Sequence, residues 1–253
     1  MRAAFTRAIT LALPLATFAC AIDERDLTVR PPGILLTPNG AGFVDGSNDA
    51  GILGYWTYFI DTPSCRDAGY SAEQCSTLFD SSGTAVQPGA RARPDDPATG
   101  RICLRGVTAQ ALVNPATMQP DYAAIWGGGI ELTFNDPDAN VATALPYDAP
   151  AHMITGFSFE TDTPPPSVIR VAFPTTASPV AGDSYWGGKL SWFSPIHPGL
   201  NVFTWDDVTP QFDSDFPPFD PRTILRMQFH VNAIAARATP FDFCIWNLSA
   251  RTY

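Results

Sequence analysis

In LRMQFHVN, Arg226, Gln228 and His230 alternate with Met227, Phe229 and Val231, so a strand here would carry a guanidinium, an amide and an imidazole on one side. Arg170 in SVIRVAF and Glu131 in GIELTFN hold the matching outward positions of two further alternating segments. If these strands share a face, the side chains can both donate and accept hydrogen bonds. Trp126, Tyr185, Trp186 and Trp192 add planar rings. Sugars present polar edges and apolar CH faces, and a site for them needs both kinds of group. The plainer reading is that any solvated sheet face alternates in this way and that most tryptophans are core.

Catalytic patterns are weaker. His152, His197 and His230 lie far apart, without HExxH, GxSxG or metal-ligand spacing. Asp206-Asp207 in FTWDDVTP resembles a turn or cap, because adjacent strand residues face opposite ways. The triple glycine of PDYAAIWGGGIELTFN runs into an alternating strand, whereas a phosphate loop needs a helix at that point and a Gly-Lys-Ser/Thr ending. Those glycines are expected to form a bulge, or to admit another backbone or a ligand beside Trp126.

The elements that must position these residues read as strands. ILGYWTYFI, Arg101 to Ala109, GIELTFN, Met153 to Glu160, SVIRVAF, Tyr185 to Phe193, Leu200 to Trp205, LRMQFHVN and Phe241 to Leu248 give about nine. In three of them Ile130, Leu132 and Phe134, then Ile169, Val171 and Phe173, then Leu225, Met227, Phe229 and Val231 form the inward rows. Twenty-five prolines and 19 glycines divide the chain into short pieces. The expected fold is all-β, a two-sheet β-sandwich of jelly-roll topology. A net charge of −10, with Lys189 the single lysine, argues against nucleic-acid binding, which needs clustered cations.

The first twenty residues pair Arg2 and Arg7 with an apolar run, Ala8 to Ala19, too short to span a bilayer, which marks residues 1–20 as a signal peptide. Ala19-Cys20 fits lipoprotein cleavage and Ala19-Cys20-Ala21 fits ordinary secretion. Cysteine parity favours lipidation of Cys20, which leaves Cys65, Cys75, Cys103 and Cys244 for two disulfides in an oxidising compartment. A Cys65–Cys75 bridge would staple the long Pro/Gly-rich loop from Asp61 to Gly100, and a Cys103–Cys244 bridge would form if their strands are neighbours. Residues 21–38 read as a tether and 39–253 as the folded domain.

The order GYWTYFID, GRICLRGVTA, WGGGIELTFN, LPYDAPAHMITGFSFETD, SVIRVAFPT, ILRMQFHVN and FDFCIWNLSA resembles the β-sandwich of secreted bacterial lipoproteins similar to carbohydrate-binding modules and galactose-binding-like jelly rolls. The resemblance implies a structural calcium where the first and last strands meet, and so implicates Asp45, Asp49 and Asp242. The sequence departs from it at Cys244-Ile245-Trp246-Asn247, where many relatives carry paired aspartates. The expectation is a noncatalytic carbohydrate-binding lipoprotein of the cell envelope, bound to the membrane only through its lipid. The rivals are a structural or protein-interaction module without a sugar site and a polysaccharide-cleaving enzyme.

Overall fold

The computed structural model describes residues 33–136, 144–161, 169–176, 192–210 and 218–253. In chain order these form β1 (Gly33–Leu35), β2 (Phe43–Val44), β3 (Gly54–Ile60), the helix α1 (Thr62–Asp67), β4 (Thr77–Asp80), β5 (Ile102–Thr108), β6 (Val113–Asn114), β7 (Gln119–Pro120) and β8 (Gly127–Thr133). There follow β9 (Ile154–Thr161), β10 (Ile169–Phe173), β11 (Trp192–Pro195), β12 (Gly199–Thr204), β13 (Thr209–Pro210), β14 (Arg226–Asn232) and β15 (Thr239–Thr252).

Two sheets stack face to face. One has the order β12-β9-β15-β5-β4 with β1 added to β15, and the other has the order β13-β11-β10-β14-β8-β3-β2. The named strands pair antiparallel, and the long strands β3, β5, β8, β9, β10, β12, β14 and β15 alternate between the sheets, which is a jelly-roll arrangement. Period-two patterning produces this directly. Trp56, Ile130, Leu132, Met227, Phe229 and Phe173 from one sheet meet Ile102, Leu104, Phe157, Phe159 and Phe243 from the other in a single core cluster. Phe159 stands edge-on to Phe229 at 4.8 Å between centroids, a geometry worth about 0.5–1.5 kcal/mol beyond its area.

Three stretches differ from expectation. Residues 33–36, expected to lie outside the domain, belong to the fold, because β1 pairs with Arg251, Ala250 and Ser249 of β15 and Leu36 is buried; the apolar run Ile34-Leu35-Leu36 has a sheet edge to join. The loop from Asp61 to Gly100 contains α1 and β4, and its Cys65–Cys75 disulfide ties the helix to the segment leading into β4. The triple glycine forms no bulge. β8 pairs with β14 in unbroken register from Asn232↔Gly127 to Arg226↔Thr133. The glycines serve close approach, since a Cβ on Gly129 would lie 1.9 Å from the Phe229 carbonyl oxygen.

The Cys103–Cys244 disulfide joins directly opposed residues of β5 and β15, so the condition for that bridge, neighbouring strands, is met. Among the described residues no helix is long and apolar enough to cross a membrane. Cys20 lies outside the described residues.

Candidate functional site

The outer face of the β8-bearing sheet gathers the polar rows. Across β3, β8, β14 and β10 one register row reads Thr57, Glu131, Gln228 and Ala172. The next reads Phe59, Gly129, His230 and Arg170. Arg226 stands opposite Thr133 beside them. The strands thus bring together Glu131, Arg170, Arg226, Gln228 and His230, each the odd-phase partner of a core residue.

Glu131 is the hub. Its carboxylate accepts from Gln228 Nε2 at 2.7 Å, from Arg226 Nη1 at 3.4 Å to each oxygen, and from Thr57 Oγ1 at 3.4 Å. Because a carboxylate oxygen only accepts, the Gln228 NH2 must face Glu131 and its Oε1 must face away. His230 is held at both nitrogens: Nδ1 lies 3.4 Å from Arg170 Nη2 and Nε2 lies 3.1 Å from the Trp126 carbonyl oxygen. Arginine only donates and a carbonyl only accepts, so the ring proton sits on Nε2. Burial, and then the Arg170 charge, hold the imidazole well below its ordinary range, so it is neutral at physiological pH. Burial also lowers Arg170 to about 10.

The polar face is not solvated. Glu131, Arg170, Arg226, Gln228 and His230 are between 1% and 8% exposed. Period two says which face a side chain points to and nothing of what lies over that face. Trp126 is also buried, stacked on Phe59 at 5.9 Å with its Nε1 donating to Ser64 Oγ, so its indole packs within the fold. Within this buried set, Arg226 Nε and Gln228 Oε1 have no hydrogen-bond partner among the described residues.

Sequence reading missed the accessible rings. Tyr55 and Phe59 are half-buried residues of the same outward row of β3 as Thr57. Phe43 packs on Tyr55 at 4.5 Å, and the exposed Arg91 lays its guanidinium 3.9 Å above the Tyr55 ring. The signal was present in ILGYWTYFI, but nearly every residue there is apolar or aromatic, which hides the alternation. Tyr185 and Trp186 lie outside the described residues; Trp192 opens β11 opposite Phe173, with its side chain outside them.

The expected calcium ligands are not brought together. Asp45 spends Oδ1 on the Ser47 amide of its own turn, Asp49 is exposed in that turn, and Asp242 stands opposite Arg105 on β15. Among the described residues no three His, Cys, Asp or Glu side chains cluster as metal ligands.

Asp207 caps a short helical turn by accepting from the Thr204 amide at 2.7 Å. Asp61 is fully buried and accepts from the Gly127 amide at 2.8 Å, from Ser76 Oγ at 2.8 Å and from the Ser76 amide at 3.1 Å. Burial outweighs those donors and raises its pKa to about 6.

No protein-family model and no curated protein sequence matches the chain. Among solved structures it is similar to the family 11 carbohydrate-binding module from Clostridium thermocellum in complex with a β-1,3-1,4-mixed-linked tetrasaccharide, at 11% identity and a TM-score of 0.42, over 78% of this chain and 88% of that one. The family 11 module of the cellulosomal cellulase Lic26A-Cel5E of the same organism gives 13% identity and a TM-score of 0.39 with the same coverage. The N-terminal cellulose-binding domain of Cellulomonas fimi β-1,4-glucanase C gives 11% and 0.25, over 72% and 91%. At these values none of them assigns a ligand to this chain.

Proposed function

We propose that the protein is a noncatalytic carbohydrate-binding module, exported and held at the cell envelope by a lipid on Cys20. The observation that carries this reading is the pair of half-exposed rings, Tyr55 and Phe59, on the same outer face as the polar rows of Glu131, Arg226 and Gln228. A sugar offers apolar CH faces to such rings and hydroxyls that both accept and donate. Glu131 orients Arg226 and Gln228 by accepting from both, and His230 positions Arg170. Tyr185, Trp186 and Trp192 are proposed as additional stacking rings. The two disulfides suit an oxidising, extracytoplasmic compartment.

The near-complete burial of the polar rows favours a second reading, in which Glu131, Arg226 and Gln228 form an interior network of a structural module with no sugar site. Retention of the purified protein on a panel of soluble and insoluble polysaccharides separates the two. On the first reading at least one glycan retains it, and Tyr55→Ala and Gln228→Ala weaken retention while the protein stays folded. On the second, every glycan is ignored and the variants change stability alone.

A further inference from the structure

The outer face of the opposite sheet carries a group that sugar binding does not use. Cys103 and Cys244 face each other across β5 and β15, and the Arg101 guanidinium reaches their disulfide. Arg101 Nε–H donates to Cys103 Sγ at 3.5 Å and Arg101 Nη2–H donates to Cys244 Sγ at 3.3 Å. The guanidinium also lies over the Trp246 ring at 5.1 Å, and Asp95 Oδ2 fixes the Cys103 amide at 2.7 Å. Cys103 is half-buried, whereas Cys244 is 6% exposed. The Cys65–Cys75 bridge differs on both counts. Its cysteines are 0% and 5% exposed, and among the described residues its sulfur contact is to the Ser71 carbonyl.

We propose that Cys103–Cys244 is a site of thiol–disulfide exchange with small dithiols. A thiolate of the dithiol attacks Cys103 Sγ, the Cys103–Cys244 bond breaks, and its electron pair leaves on Cys244 Sγ beside Arg101. Cys103 then carries a mixed disulfide. The second thiolate of the dithiol attacks its own sulfur in that mixed disulfide and expels the Cys103 thiolate. The dithiol ends as its disulfide, and the protein gains two electrons and, from solvent, two protons. Exchange quickens as the leaving thiol becomes a better thiolate, and a guanidinium that never loses its charge makes it one. The fold does not open with the bond, because β5 and β15 stay paired by register from Thr239↔Thr108 to Ile245↔Ile102.

The test is limited treatment of the native, full-length protein with dithiothreitol, followed by alkylation and peptide mapping, with near-ultraviolet circular dichroism recorded throughout. Cys103–Cys244 should be reduced roughly tenfold faster than Cys65–Cys75 before any loss of the native spectrum. Arg101→Gln should slow that step several-fold, and Arg101→Lys should restore part of the rate. Glutathione, a monothiol, should trap a mixed disulfide on Cys103. Equal rates for the two bridges, a rate unchanged or raised in Arg101→Gln, or reduction only after unfolding would each overturn the proposal.

Discussion

Removing the carboxylate of Glu131 isolates a charge that cannot be discharged. In the Glu131→Ala variant the Arg226 guanidinium, whose side chain is 10% exposed, keeps its proton but loses the anion that lies 3.4 Å away. Gln228 Nε2 and Thr57 Oγ1 lose their acceptor in the same step. Breaking a buried ion pair from one side costs about 3–5 kcal/mol, mostly because the remaining charge is left uncompensated. Glu131→Gln keeps the shape and one acceptor, so it should cost less than Glu131→Ala. Replacing both partners together, Glu131→Leu with Arg226→Met, removes the isolated charge but still leaves Gln228 Nε2 without this acceptor, so it should cost less than Glu131→Ala without returning to wild type. Equilibrium urea unfolding of the oxidised protein at neutral pH, followed by tryptophan fluorescence, measures all four. The reasoning fails if Glu131→Ala costs under about 1 kcal/mol, or if the double variant is as damaged as the single one.

Three further outcomes follow from the geometry. Gly127 has φ of +109° and a Cβ there would lie 2.1 Å from the Val231 carbonyl oxygen, so Gly127→Ala should lose about 2 kcal/mol or more in urea unfolding, against under about 0.5 for Gly40→Ala, where nothing lies within 4 Å. Replacing Cys65 and Cys75 by serine frees a loop of sequence separation 10 and should lower unfolding free energy by about 3 kcal/mol, read from the urea midpoint. Asp61 holds its proton more tightly folded than unfolded, so its contribution is fully present below about 3.8 and is lost as pH rises through about 6. That difference is worth about 3 kcal/mol, so wild type should gain relative to Asp61→Ala between pH 7 and pH 4.5; parallel stability profiles would show that the burial of Asp61 does not set its titration.

What the chain discloses by itself is the direction of each side chain. The Ile130/Leu132 and Met227/Phe229/Val231 rows point inward as their spacing requires, and the same spacing sends Glu131, Arg226, Gln228 and His230 to one outer face. Parity leaves four cysteines for two disulfides, but the Cys103–Cys244 pairing depends on β5 and β15 being neighbours, which the sequence does not report. Period two does not say what lies over an outer face, which is why those side chains read as solvated and are buried. Tyr55 and Phe59 were hidden because aromatic residues occupy both faces of β3, and β1 because the short run Ile34-Leu35-Leu36 carries no period. No local spacing among Asp45, Asp49 and Asp242 reports where β15 runs.

The most direct test of the central claim is isothermal titration of the full-length, oxidised protein with polysaccharides that retain it on a solid support, beside Tyr55→Ala and Gln228→Ala whose urea midpoints have been checked. Saturable binding to at least one glycan is expected, with a loss of roughly tenfold or more in affinity in each variant, the size expected when a stacking ring or a member of the polar network behind it is removed. A folded protein that binds no glycan, or one whose affinity is indifferent to both substitutions, would contradict a sugar site on this face.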